Sequence, residues 1–423
     1  MNPIIISVIG IAAIAGLFTL NWWRARSWLD PSVAISAVWI AALIVIVING
    51  GRLYGISWLA LSIFLCGLTT FSIGSAIGAA IPARAREPFS GLASDGVIIG
   101  GFLLILVLGM PFYLRYVLQL TTFPLFSAEY FVQIRDVLVF QSIEFSRAPL
   151  VANLVTLSSI FAVLAFALSE SGRRWWILVA AVVGLGFVYN FLTGAKAGAL
   201  SLLVTLFVIY ALQKRRLPKV GLLVAVGVFV ASFGVVTVQR ALGTGVDIGS
   251  FSNAVRATLE KLGDYLASGP VGFSAYLAHP HSVAAVWSPW RFFERTTNYF
   301  GNYFDVPDMN AQYTQIGPGL YYNTYSAFFS YYPIGGVLGV AAFMLGIGVA
   351  AGAVHRRAVQ GRLLWQVLYA PIYYGVLMTV FNESLLLALN PIVKLLILSG
   401  AVAIVRQVRL PDDGRYALPP NAG

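Results

Sequence analysis

The chain has 423 residues, of which 59% are hydrophobic and 10% charged, with a mean hydropathy of +0.83 and a formal net charge of +11. A mostly wet surface takes about a quarter charged residues, so a soluble enzyme, a nucleic-acid-binding module and a secreted domain are excluded, and the basic excess reads as membrane loops. One cysteine, Cys66, rules out a disulfide framework and a cysteine-rich metal site; placed mid-span, it is a packing residue.

About 20 apolar residues cross the hydrocarbon core as a helix. Runs of this kind occupy 3–21, 33–49, 55–78, 95–118, 150–168, 175–193, 197–212, 219–239, 331–354, 364–381 and 388–405. They predict an all-α polytopic membrane protein of about 11 transmembrane helices, one domain over 1–410, with a polar tail at 411–423. The first run has neither a basic start nor an Ala-x-Ala-like exit, so it is expected to stay as a helix. Two connections are long, a smaller one at 121–149 and a large one at 240–330, and loops of that length inside a membrane domain carry function or structure of their own. In the large one, Val255, Leu259, Leu262 and Leu266 recur at helical spacing, predicting a short amphipathic helix over Ser252–Leu266 at the membrane surface. Its later part, Trp287 to Tyr332, is rich in aromatic residues, which suits either an interfacial belt or stacking on sugar rings. No internal repeat or inverted symmetry is visible, which argues against a transporter.

Alternate short connections hold Arg24 and Arg26, Arg84 and Arg86, Arg173 and Arg174, Lys214 to Lys219, Arg356 to Arg362, and Arg406 to Arg415. These segments contain 16 of the 27 basic residues. The positive-inside rule puts them in the cytoplasm, so the N-terminus and both long connections face the periplasm and the C-terminus faces the cytoplasm.

Outward cations are the natural holders of an anionic lipid headgroup, because a guanidinium presents paired donors to phosphate. Arg291 and Arg295, four apart around Glu294, would share a helix face, either as interfacial anchors or in a site. Lys196 lies in the turn Thr193-Gly194-Ala195-Lys196-Ala197-Gly198, where glycine-flanked backbone could approach a phosphate; snorkelling to the interface is the plainer reading. Arg240 ends the eighth run, as a helix C-terminal cation or a functional one. Glu383, in Phe381-Asn382-Glu383-Ser384, is a carboxylate near membrane depth and so a functional candidate, with Asn382 placed to orient it; capping the last helix is the rival. His279 and His281 flank Pro280 without an acidic partner, and Asp305 and Asp308 have loop spacing, so both pairs read as solvated loop residues. No Walker A, GxGxxG, GxSxG or Asp-x-Asp signature is present.

The stretch from Asn323-Thr324-Tyr325-Ser326 through Pro333-Ile334-Gly335-Gly336 resembles the entry to a late helix in the Wzy-type bacterial oligosaccharide repeat-unit polymerases, with Ser326 for a usual Thr and Pro333-Ile334-Gly335 for Asp-Phe-Gly. Thr193 to Gly198 is similar to that family's Thr-Gly-x-Arg/Lys turn, and Tyr265 to Phe273 to its Tyr-x-x-Gly-x-x-x-Phe stretch; the large connection has no Arg-x10-Gly motif. The resemblance implies an inner-membrane enzyme that moves a growing glycan from undecaprenyl diphosphate to the non-reducing end of an incoming lipid-linked repeat unit. It implies no cofactor or metal, lipid-linked oligosaccharides and membrane lipids as partners, a chain-length regulator, and no nucleic acid. On that basis Lys196, Arg240 and Arg291 would clamp the diphosphate, with Arg295 and Arg147 in reserve. Glu383 or Glu294 would be the base, and Asn323, Tyr325 and Tyr322 would hold sugar. An O-antigen ligase and a glycolipid flippase are the alternatives.

Overall fold

A bilayer offers backbone groups no water, so each segment inside it must pair its own N–H and C=O groups, and helices dominate. The computed structural model describes residues 3–82, 92–140, 150–169, 175–194, 196–215, 251–280, 288–298, 313–386 and 389–407, with scattered positions at 223, 227, 230, 231, 233–239, 242, 301 and 304. The first helices are α1 (Pro3–Ala25), α2 (Pro31–Ile48), α3 (Trp58–Ala80), α4 (Leu92–Gln119) and α5 (Ala128–Phe140). A 3-10 turn at Leu150–Asn153 leads into α6 (Leu154–Leu168), then α7 (Trp176–Leu192), α8 (Lys196–Lys214), α9 (Phe251–Ala278) and α10 (Arg291–Thr297). A hairpin of β1 (Thr314–Gly317) and β2 (Leu320–Tyr322) precedes α11 (Phe328–Val359), α12 (Leu363–Met378) and α13 (Leu389–Gln407).

Seven of these are long and apolar enough to cross a membrane: α1, α2, α3, α4, α6 with its leading turn, α8 and α11; α7, α12 and α13 are shorter apolar helices. The chain is therefore a polytopic, α-helical membrane protein. The eighth apolar run is described only in part, with 233–239 helical.

Local chemistry sets the helix starts. Asp30 has extended backbone (φ −68°, ψ 128°), accepts the Ser32 N–H at 2.9 Å and precedes Pro31, so α2 begins there. Ser57 starts α3 in the same way, its hydroxyl accepting the Ala60 N–H. α3 and α11 then pack backbone to backbone. A Cβ on Gly74 or Gly78 would lie 2.2 or 2.0 Å from the carbonyl oxygens of Leu345 and Val349, and one on Gly348 or Gly352 would meet those of Phe71 and Ser75 at 2.3 and 2.2 Å. Small residues four apart on both helices allow this approach, which replaces the hydrophobic drive that lipid does not supply.

α11 is broken near its start. Gly336 has φ +58°, a conformation open to glycine at little cost, and follows Pro333 and Gly335. The short first piece turns back, so that Tyr331 stacks on Phe343 with ring centroids 4.9 Å apart.

Two features differ from the sequence expectations, and one bears out part of an expectation. The short surface helix of 252–266 continues to Ala278 as α9, and Ala267, Ser268, Val271 and Phe273 are fully buried. Hydropathy hid this because Asp264, Ser268, Gly269 and Pro270 dilute the segment although protein, not water, surrounds it. Structure of its own, one of the two expectations for the 121–149 connection, is present there as α5, whose Tyr130 and Phe131 are buried. An antiparallel hairpin stands among the otherwise helical elements of the described residues.

Candidate functional site

Arg24, Arg356, Arg357 and Arg362 lie at one end of the bundle, where α1 and α11 finish and α12 begins. At the other end α12 finishes, and the backbone leaves the helix through Thr379–Leu386. Three segments distant in sequence converge there: α9 from Tyr265 to Phe273, the strand exit from Asn323 to Tyr331, and Thr379 to Leu386. The Ala327 N–H donates to Thr379 O at 2.8 Å, and the Trp39 indole to the Thr379 hydroxyl at 3.2 Å. A Cβ on Gly269 would lie 2.0 Å from Val380 O and 2.9 Å from Ser326 N, and one on Gly272 would lie 2.5 Å from Thr324 O. Tyr265 packs against both Tyr322 and Phe381, at 5.3 and 5.5 Å between ring centroids.

Glu383 is buried inside this junction. Its Oε1 accepts the Tyr331 hydroxyl at 2.9 Å and the backbone N–H groups of Leu385 and Leu386 at 2.8 and 2.9 Å, and Oε2 accepts Leu386 N–H at 3.0 Å. The carboxylate thus ties a non-helical turn ahead of α13, which starts at Leu389, and does not cap that helix directly. Asn382 does not serve as its orienting partner in these contacts; it accepts the Ser384 hydroxyl, and the orienting group is Tyr331. Non-helical backbone beside apolar spans is tolerated where protein encloses it or where it lines a wet cavity.

Aromatic residues expected to meet sugar are divided by the fold. Tyr325 is fully buried and stacks on Phe329 at 4.5 Å, and burial pushes its phenol up to about 12. Tyr322 is buried, its phenol raised chiefly by desolvation, and donates to Asp264 Oδ2 at 3.1 Å. Both stay protonated donors at neutral pH. Asn323 is half-buried, and Tyr321 is the exposed ring of the hairpin.

Around Tyr322 lies a charge cluster that sequence reading missed. Arg52, between α2 and α3, pairs with Asp264 and, at 3.3 Å, with Glu260. Arg256 meets Glu260 at 2.9 Å, and the Lys261 ammonium sits 4.5 Å from the Tyr322 ring centroid. Asp264 is buried and fully engaged, so this cluster anchors α9 to the hairpin and the α2–α3 turn. Acidic and basic residues four apart on the amphipathic part of α9 were the only sequence signal of it.

Lys196 opens α8, directly after a turn in which Gly194 has φ +61°. The Tyr374 hydroxyl donates to Ala197 O at 3.2 Å, and the Tyr130 hydroxyl donates to Leu192 O. Tyr374 is one turn before the end of α12, so the Lys196 turn and Glu383 share one end of the bundle. The Lys196 side chain lies outside the described residues, as do the Arg295 side chain and all of Arg147, Arg240, His281, Asp305 and Asp308.

Arg291 and Arg295 do lie on one short helix, α10, but Arg291 is buried and not an exposed anchor, whereas Trp290 and Phe293 are half exposed. Glu294 accepts the Ser288 hydroxyl at 2.7 Å, closing the start of α10. Trp290 packs on Phe343 at 5.9 Å, Phe343 on Tyr331, and Tyr331 bonds Glu383, so ring contacts connect α10 to the buried carboxylate. His279 lies one residue past α9, and the described residues contain no group of three potential metal ligands. No protein-family model, curated protein or solved structure matches the chain.

Proposed function

We propose that the protein is a polymerase of lipid-linked oligosaccharide repeat units, with about eleven spans and its site at the periplasmic face of a bacterial inner membrane. The observation that carries this reading is the junction itself: a buried carboxylate, Glu383, held in irregular backbone where the segments 265–273, 323–331 and 379–386 meet. A carboxylate in such surroundings, at the end of the bundle away from the arginine-rich turns, suits a proton acceptor on an outward face.

In the proposed reaction the acceptor sugar hydroxyl attacks the anomeric carbon of the donor glycan. The new glycosidic C–O bond forms as the bond to the diphosphate breaks, the hydroxyl proton passes to a carboxylate, Glu383 first and Glu294 second, and undecaprenyl diphosphate leaves with the electron pair. Cations near the leaving group stabilise the charge that develops on it; Lys196, Arg240 and Arg291 are assigned that role, with Arg147 and Arg295 behind them. Asn323 and the exposed face of the hairpin near Tyr322 are assigned to sugar, whereas Tyr325, buried in the core, shapes the site from behind.

The test is a gene deletion followed by sizing of undecaprenyl-linked and surface glycans by gel and mass spectrometry. Single repeat units in place of long chains support polymerisation. Long polymer trapped on the lipid carrier would make the protein a ligase, and single units trapped on the cytoplasmic leaflet would make it a flippase.

A further inference from the structure

Lys394 belongs to none of the clusters above. It lies on α13 five residues from the helix start, about 7.5 Å along the axis, beside buried Leu395 and the exposed Leu396 and Ile397. Its side chain is half-buried, and Nζ donates to Asn153 Oδ1 at 2.7 Å. Asn153 is the residue that caps α6 by position, yet it makes no side-chain cap bond; its oxygen serves the lysine instead. Ion pairs among the described residues join Arg24, Arg52 and Arg256 to Asp30, Glu260 and Asp264, and none reaches Lys394. Of the three donors an ammonium carries, one meets a neutral amide.

Ordinary structural roles do not account for this placement. A lysine near an interface usually extends its head toward water, but this one turns inward to a neighbouring helix. A lysine can also complement a helix dipole, but only at a C-terminus; Lys394 is early in α13 and against the start of α6, both positive ends. A half-buried cation with no counter-charge among the described residues, in an apolar setting, is costly to hold. A phosphate arriving from the lipid side, past Leu396 and Ile397, removes that cost through charge-assisted hydrogen bonds.

We infer that Lys394 binds the phosphate of a lipid headgroup. The inference rests on the proposed polymerase only for the lipid's identity, undecaprenyl diphosphate, since a phospholipid phosphate offers the same chemistry. The purified full-length protein would be titrated in detergent with undecaprenyl diphosphate, undecaprenol and phosphatidylglycerol, with binding read by native mass spectrometry and folding by thermal unfolding. Wild type is expected to hold undecaprenyl diphosphate about tenfold or more tighter than undecaprenol, Lys394→Arg to keep that preference, and Lys394→Ala to cut it several-fold. Asn153→Asp gives the lysine an internal counter-charge, so it should weaken phosphate-lipid binding at unchanged or raised unfolding temperature, which keeps the test informative if Lys394→Ala unfolds. Tighter binding of phosphatidylglycerol than of undecaprenyl diphosphate, still dependent on Lys394, would uphold the lipid-phosphate site while removing its link to glycan polymerisation. Full retention of phosphate-lipid preference in folded Lys394→Ala or Asn153→Asp protein would overturn the inference.

Discussion

The two ends of the bundle bury polar groups in different ways. At the arginine-rich end the partners lie at helix ends and in the loop between α1 and α2. Arg24 reaches Asp30 at 3.4 Å and the Ser32 hydroxyl at 2.8 Å, and Asn21 bonds Ser32 O, Ser36 and, on α3, Ser72. The Tyr369 and Tyr373 hydroxyls then close onto the carbonyls of Leu29 and Trp28. These contacts finish helices and fasten a loop. At the opposite end Glu383 draws on Tyr331, 52 residues away, and on two amides of a turn that no helix requires. A fold that needed only to span the membrane could run α12 into α13 through a short polar turn. Keeping a carboxylate in irregular, enclosed backbone costs stability and is the kind of local exception expected at a working site.

The sharpest way to break this contrast is Glu383→Gln. The amide keeps the side-chain shape and one acceptor oxygen but cannot take a proton, so polymer formation should fall by roughly 10²–10⁴. Thermal unfolding should change little by comparison. Unaltered polymer length from cells making normal amounts of the variant would assign Glu383 to the turn alone. Tyr331→Phe comes next: it removes one hydroxyl donor to a charged acceptor, worth about 1.5–3 kcal/mol, and leaves the stacking on Phe343 in place. Polymer synthesis in membranes should drop about tenfold, with a shift in its pH profile that a purely structural ring would not produce.

The same contrast separates what was legible in the sequence from what was not. Spans such as 3–21, 33–49 and 95–118 could be read because an apolar run of bilayer length has few other uses, and α1, α2 and α4 cover them. Glu383 stood out because a carboxylate next to two apolar runs is rare. The depth of α9 was hidden: its burial is by Val380, Thr324 and the hairpin, and a hydropathy window cannot distinguish protein from water as the neighbour of Ser268 or Gly269. Arg52 with Asp264, and Lys394 with Asn153, were equally hidden because each pairs residues more than 200 positions apart. The aromatic stretch before α11 suited both an interfacial belt and stacking on sugar, and only the fold sorts buried Tyr325 from exposed Tyr321.

At the arginine-rich end, Asp30→Ala should lower stability without lowering activity. It removes an N-cap, worth about 1 kcal/mol, and the Arg24 pair, whose arginine is one-third exposed and therefore adds only a few tenths. Unfolding in detergent should show a loss of about 1–1.5 kcal/mol with polymer length unchanged. A variant that stays stable but loses polymer would extend the functional region to this end and dissolve the contrast.

The smallest effect belongs to Glu260, on the surface of the opposite end. The Arg256 hydrogen bond, followed by the charges of Arg256 and Arg52, holds its carboxyl below the ordinary value of 4.5. A carboxyl lowered in the folded state adds stability above the unfolded pKa, and that contribution fades as pH falls through the folded one. Between pH 7 and 6 the pair is therefore constant, and its loss appears only below about pH 4.5. Arg256 is 81% exposed and Glu260 44%, so screening keeps Arg256→Ala to about 0.3 kcal/mol or less near neutrality. Thermal unfolding scanned from pH 7 to 3.5 should show wild type and variant nearly parallel above pH 5, with the acid-side decline shallower in the variant. A large loss already at pH 7 would mean that Arg256 carries the attachment of α9, and with it the geometry around Tyr322 and Tyr265, to a degree that an exposed pair on an amphipathic helix cannot explain.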